Sequence, residues 1–391
     1  MSATAEEHAA PGPTTRLLTR LRRWRDRRIA DPAFQAWAVR FPLTRGIANR
    51  RGAALYDLVA GFVYSQVLYA CVDLDLFRRL SGGPLSLVDL SARTGLDEPA
   101  LERLLRAAAA LDLLRPPGRR DARWALGPLG AALLGAPGVE EMVRHHPMFY
   151  RDLEDPLALL TAPKGSTELA AFWRYVDGAP DSDQAAAYSR LMASSQRMVA
   201  AETLAVCPLA GVHCLLDIGG GEGAFLRAAL HATPGLRGIV FDLPPVAERA
   251  QAALAAAGLG ARARAVGGSF LADPLPEGAD AISLVRVLYD HDTQVVRQIL
   301  SAAIRALPPG GRLILSEPMS GGLRPTRAGD AYFGLYTAAM TSGTPRSVAE
   351  HVGLLTEAGF VEAKPVKARQ PFITRVITAR KPAQRGSGQH S

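Results

Sequence analysis

From Ala53 to about Leu80, apolar residues recur at helical spacing, among them Leu55, Leu58, Val59, Phe62, Val63 and Val67. The pattern predicts a long helix stopped at Ser81-Gly82-Gly83-Pro84, where glycine and proline break helical continuity. Shorter signals follow: Ser86 to Leu90, then Thr94-Gly95-Leu96, then Leu101, Leu104 and Leu105 running through alanines to Leu113-Leu114-Arg115. Two short helices, a turn, a third helix and the extended Arg123-Trp124-Ala125-Leu126 make a winged-helix-like pattern. Residues 140–199 read as further helices rich in aromatic and sulfur side chains: Met148, Phe149, Tyr150, Phe172, Trp173, Tyr175, Tyr188, Met192 and Met198. Such side chains build a core or line an apolar pocket, and spacing does not separate the two.

After Gly211 the rhythm changes to short apolar runs alternating with helical patterns, the mark of an α/β, doubly wound parallel sheet. Strands are expected at Cys214 to Ile218, Gly238 to Phe241, Ala263 to Val266, Ala281 to Val285 and Arg312 to Ser316. Two last strands, around Phe360 to Ala363 and Phe372 to Ala379, lie too close for a crossover helix and must pair antiparallel. The implied organisation is a basic N-terminal arm over 1–52, a helical winged-helix-like half over 53–200, a nucleotide-binding half over 201–381 and a disordered tail over 382–391.

Composition adds limits to this picture. A chain of 391 residues, 48% hydrophobic and 21% charged, buries a large core and divides into about two domains. Its longest apolar runs, such as that around Ala107 to Leu114, are broken by charge before the ~20 residues of a membrane span. Cys71, Cys207 and Cys214 show neither metal-ligand spacing nor a paired framework, which suits a reducing cytoplasm. No metal is expected. The net charge of +8 is local: Arg16 to Arg51 holds eleven arginines against Asp26 and Asp31. There, Leu17, Leu21 and Trp24 share one helical face and Arg16, Arg20, Arg23 and Arg27 lie on others, the pattern of a basic amphipathic helix suited to an anionic membrane surface. A solvated arm is the plainer reading of the same stretch. The Arg119-Arg120-Arg123 cluster beside a winged-helix pattern invites a DNA-binding reading, but the same fold serves as a dimerisation scaffold, and no nucleic acid is expected.

The chemistry concentrates at Leu215-Leu216-Asp217-Ile218-Gly219-Gly220-Gly221-Glu222-Gly223. Glycines let a strand turn sharply into a helix and let backbone approach a ligand. By themselves Gly219, Gly221 and Ala224 also fit a dinucleotide-binding loop, which leaves an NAD-dependent oxidoreductase open. Asp217 discriminates. A carboxylate there opposes a pyrophosphate, whereas S-adenosylmethionine presents a sulfonium and an ammonium that a carboxylate helps to hold. Asp242, at the tip of the next strand, is placed to accept from both ribose hydroxyls. Two acids and a terminal hairpin favour the methyl donor.

Five motifs in register carry a resemblance: Asp217-Ile218-Gly219-Gly220-Gly221, Phe241-Asp242-Leu243-Pro244, Gly267-Gly268-Ser269-Phe270, Leu307 to Leu313 and Gly359-Phe360. From Ala53 to Lys381 the chain resembles the small-molecule O-methyltransferases that include the plant phenolic and acetylserotonin enzymes. Within that family it looks most like the bacterial hydroxycarotenoid O-methyltransferases, through Tyr64 to Cys71, Ser283 to His291, Ser316 to Met319 and Ala331 to Tyr336. The resemblance implies a Rossmann-like donor domain behind a dimerisation half, a homodimer, and methylation of a tertiary hydroxyl on an acyclic carotenoid during photosynthetic pigment synthesis. Relatives acting on bacteriochlorophyll precursors or on phenolic and polyketide metabolites are the alternatives within the family. A winged-helix regulator that senses S-adenosylmethionine is the alternative outside it.

Carried over residue by residue, the resemblance implies donor contacts from Asp217, Gly219, Gly221, Asp242, Leu243, Ser269, Phe270 and Arg286. The phenolic enzymes set a histidine base before Asp-Trp, and this chain has Tyr289 before Asp290-His291. Ser269 stands where an adenine-contacting acid is usual. One of the two acids flanking the base in that family matches Glu317, whereas the position of the other falls near Val348 and the acid is lost. His291 is therefore the expected proton acceptor, with Tyr289 bonding the substrate hydroxyl and Glu317 at the cofactor edge of the sheet. His145 and His146 precede an apolar stretch, and at most one of two adjacent histidines is expected to enter the pocket.

Overall fold

The computed structural model describes residues 13–119, 121–174 and 183–383, with side chains left undescribed at 13–15, 137, 173–174 and 183–194. The side chains of Trp173, Tyr175, Tyr188 and Met192, Arg120 and the tail beyond 383 therefore lie outside the described residues.

Helices α1 (Pro13–Ala30), α2 (Pro32–Arg40) and α3 (Pro42–Asp73) open the chain, each with a proline in its first turn, where the missing N–H costs nothing. α3 runs unbroken across position 52, so the basic arm grades into the helical half instead of ending there. The helix expected to continue to Leu80 breaks at Asp75, whose left-handed backbone (φ 54°) turns the chain into α4 (Leu76–Ser81). α5 (Leu87–Thr94) is capped by Ser86, which accepts from the Asp89 N–H, and ends at Gly95 in the left-handed conformation. Asp97 caps α6 (Glu98–Ala110), whose Leu101, Leu105 and Ala108 point into a core with Leu76, Phe77 and Leu90. Strands β1 (Leu114–Arg115) and β2 (Ala125–Leu126) pair antiparallel as the wing, tied down by buried Trp124 opposite Leu85.

α7 (Pro128–Leu134), α8 (Pro137–Asp152), α9 (Pro156–Leu160), α10 (Glu168–Arg174) and α11 (Asp183–Val206) lead to the sheet. Then come β3 (Cys214–Ile218), α12 (Ala224–Ala232), β4 (Arg237–Asp242), α13 (Pro244–Ala256), β5 (Ala263–Gly267), β6 (Ala281–Val285), α14 (Thr293–Ala306) and β7 (Arg312–Glu317). α15 (Phe333–Met340), α16 (Val348–Glu357), β8 (Val361–Val366) and β9 (Arg375–Arg380) complete the chain. Among the described residues seven strands form one sheet in the order β5-β4-β3-β6-β7-β9-β8. The first five are parallel, and β9 pairs antiparallel with both β7 and β8, as the short separation of the last two strands requires. β3 and β6 are buried along their whole length because helices cover both faces, which is why they read as continuous apolar runs. Chain order reverses between β3 and β6, so a crevice opens at their carboxyl ends.

Candidate active site

Asp217, Asp242 and the glycine loop meet at that crevice. Gly219 and Gly221 both have positive φ (63° and 56°), a conformation that glycine adopts freely. Gly219 donates its N–H to the Phe241 carbonyl at 2.8 Å, which ties the loop to the next strand. A side chain at Gly219 would strike Val287, whereas Gly221 faces open space. Asp242 accepts from the N–H groups of Gly221 and Leu243, each at 2.8 Å, and remains half-exposed at the tip of β4. Asp217 sits deeper, 1% exposed beneath Gly220, with Ser283 donating to Oδ1 at 2.6 Å. Its Oδ2 is buried without a hydrogen-bond partner, and burial pushes the group up to about 7. A buried, unpartnered carboxylate oxygen is a group that a bound cation would satisfy. Ser269 is half-buried, its N–H donating to Asp273 and its Oγ accepting from Leu271. Phe270 packs edge-on against His291 with ring centres 5.4 Å apart, and Leu243 is 40% exposed at the rim. These residues fit an adenosine-bearing cation.

The remaining expected residues surround the end of β6. Arg286 takes a left-handed backbone (φ 58°) and is half-buried, donating to Ser195 Oγ at 3.0 Å and to the Tyr289 hydroxyl at 3.3 Å. Tyr289 is 1% exposed, and burial pushes its phenol upward, so it stays protonated with its oxygen engaged by Arg286. Glu317 is completely buried: Oε2 accepts the N–H groups of Leu288 (3.0 Å) and Tyr289 (3.2 Å), and Oε1 lies 2.9 Å from His351 Nε2, off the hydrogen-bonding angle. Glu317 thus holds the turn after β6 from behind instead of opening to the crevice. His291 lies on the Phe270 side, its pKa lowered by burial, and its carbonyl accepts from Arg346. The acid nearest Val348 is Glu350, which is committed to a capping box with Ser347.

Beyond Arg286 the chain encloses an apolar cavity of about 240 Å³. His145, Ser195, Arg286, Tyr332, Tyr336 and Phe372 are among its walls, and Phe372, 63% exposed, stands at its edge. Tyr332 closes a π-type turn over Arg327–Tyr332 that feeds directly into α15, and Tyr336 follows one turn later. Each pairs with a histidine of α8: Tyr336 with His145 and Tyr332 with His146, both at 2.9 Å to Nε2. Only His145 of the two histidines lines the cavity.

Residues 161–361 match the O-methyltransferase domain and residues 56–136 the O-methyltransferase dimerisation domain. The chain belongs to the O-methyltransferase family. This O-methyltransferase is 49% identical to demethylspheroidene O-methyltransferase of Cereibacter sphaeroides over 90% of the chain and 92% of that protein. The namesake of Rhodobacter capsulatus is 47% identical over 87% and 85%. Among solved structures it resembles CalO1, a methyltransferase in calicheamicin biosynthesis in an SAH-bound form, with TM-score 0.72 and 26% identity over 85% of this chain and 98% of that one. Family membership makes the chain an S-adenosylmethionine-dependent O-methyltransferase and ends the NAD-dependent reading. It also changes which residues stand out: Ser195, Tyr332 and Tyr336 went unassigned in the sequence, although Tyr332 and Tyr336 are four apart on a helical face and could have been paired with the adjacent histidines of α8.

Proposed function

We propose that this O-methyltransferase methylates the tertiary hydroxyl of an acyclic hydroxycarotenoid, as a homodimer working at the surface of the membrane that holds such pigments. The observation that carries the reading is the apolar cavity beside the donor crevice, in a chain nearly half identical to two demethylspheroidene O-methyltransferases. At about 240 Å³ the cavity is below the roughly 300–1,000 Å³ of pockets that enclose drug-sized ligands, so a long polyene inserts only its hydroxyl-bearing end and leaves its tail outside.

In this reading Asp242 holds the ribose, Gly219 and Gly221 let the backbone approach the donor, and Leu243, Ser269 and Phe270 flank the adenine, with His291 packed behind Phe270. Asp217 supplies negative charge beneath the methionine end. Arg286 stands between donor and acceptor, and Tyr289 and Glu317 fix the turn that positions it. The sulfonium is already a good leaving group, so alignment of the two reactants supplies much of the rate, up to ~7–11 kcal/mol in favourable cases. A tertiary alcohol is a weak acid, so its proton departs during attack and not before it.

Incubating the purified enzyme with labelled S-adenosylmethionine and separate hydroxycarotenoids, porphyrin pigments and phenols tests the reading. Label is expected in the carotenoid methoxy group. Labelled phenols with unlabelled carotenoids would overturn it.

A further inference from the structure

The residue that replaces the usual histidine cannot take a proton, because Tyr289 is buried, protonated and bonded to Arg286. His291 points to Phe270 and is not among the cavity's walls. Glu317 and His351 are completely buried behind the turn. The cavity nevertheless contains one neutral base with a hydroxyl attached to it.

We propose that Tyr336 and His145 form the proton relay for the acceptor, with Tyr336 touching the acceptor hydroxyl and His145 acting through it. The Tyr336 hydroxyl lies 2.9 Å from His145 Nε2, both side chains line the cavity, and both are largely buried, at 4% and 7% exposure. His145 is held against the rings of Phe172 and Tyr336 at 5.7 Å each, which fixes its plane. Burial, with His146 and Arg286 adding to it, lowers His145 to about 4, so the imidazole is neutral and its ring nitrogen is free to accept. In the tautomer with Nε2 unprotonated, Tyr336 donates to the ring and its oxygen accepts from the substrate.

The step balances. The hydroxyl oxygen attacks the methyl carbon, and the carbon–sulfur bond breaks with its electron pair passing to sulfur, which becomes a neutral thioether. The hydroxyl proton moves to the Tyr336 oxygen as Tyr336 passes its own proton to His145 Nε2. One imidazolium results, and it returns its proton to solvent after the ether leaves. An oxonium ether is so strong an acid that even a weakly basic imidazole takes its proton favourably.

The proposal rests on the cavity being the acceptor site, and three variants keep the two claims apart. Val139→Trp fills the cavity from its wall. It is expected to abolish turnover while S-adenosylmethionine binding, measured by calorimetry, persists; retained turnover would sink the acceptor site itself. Tyr336→Phe and His145→Gln are expected to lower kcat by about 10²–10⁴-fold with acceptor KM and donor affinity near wild type. Their double variant should be no slower than the worse single, since both act on one proton. If Val139→Trp is inactive but Tyr336→Phe turns over at the wild-type rate, the relay is wrong and the acceptor site stands.

Discussion

At the scale of single residues, two carboxylates in one crevice differ because their surroundings differ. Asp242 is half-exposed and anchored by two N–H groups, whereas Asp217 is buried and raised to about 7. Below that pH Asp217 is neutral and offers a cationic donor nothing; above it the carboxylate attracts the sulfonium and ammonium. Donor affinity is therefore expected to rise as pH climbs through about 7, and calorimetric titrations across that range should show Asp217→Asn losing the rise. A flat profile in the wild type would refute the assignment. Asp242→Ala removes a charged acceptor for the ribose hydroxyls and should weaken donor binding by roughly 10–100-fold, the equivalent of about 1.5–3 kcal/mol. Unchanged affinity would remove Asp242 from the donor site.

The turn after β6 shows what an element adds. Sequence resemblance puts Glu317 beside a catalytic group, and in the folded chain its Oε2 accepts the N–H groups of Leu288 and Tyr289. Glu317→Ala strands those two donors in the interior, each costing about 1–3 kcal/mol, so denaturant unfolding should show a loss of about 2–6 kcal/mol. Wild-type stability combined with collapsed kcat would instead make Glu317 a chemical participant. The glycine loop is constrained in the same way. Gly219 has φ 63° and a Cβ there would lie 2.9 Å from Val287, so Gly219→Ala should shift the loop and lower donor affinity by about tenfold or more. Binding that survives this change would show that the loop does not need its left-handed turn.

Across the whole molecule, α1 to α3 present apolar side chains that stay exposed among the described residues. α3 is the helix long and apolar enough to cross a membrane among the described residues; unbroken apolar runs missed it because single charges interrupt an otherwise apolar stretch. The dimerisation-domain match begins at residue 56, inside α3, so a second copy is the partner expected for Leu58, Val59 and Phe62. α1 lies outside that match, with Leu17, Leu21 and Trp24 each more than half exposed among its arginines. Two such basic helices would repel one another, whereas an anionic lipid surface complements them. The enzyme is expected to float with anionic vesicles at low salt and not with zwitterionic ones. Arg20, Arg23 and Arg27→Gln should abolish flotation and leave the dimer intact by sedimentation. Equal binding to both kinds of vesicle would refute the charge-based account.

The sequence by itself determined the sheet and the glycine loop. β3 and β6 fall at the residues expected, because strands buried on both faces must be continuous apolar runs, and the loop is legible because the chain needs glycine where φ is positive. It did not reveal the break at Asp75, where a non-glycine residue adopts a left-handed backbone that no local pattern announces. Nor did it reveal the apolar cavity. That cavity joins α8, α11, the end of β6 and the turn into α15, whose side chains are far apart in the chain and meet only through packing. Periodicity reports which face of an element is buried, and only the tertiary structure decides what that face is buried against.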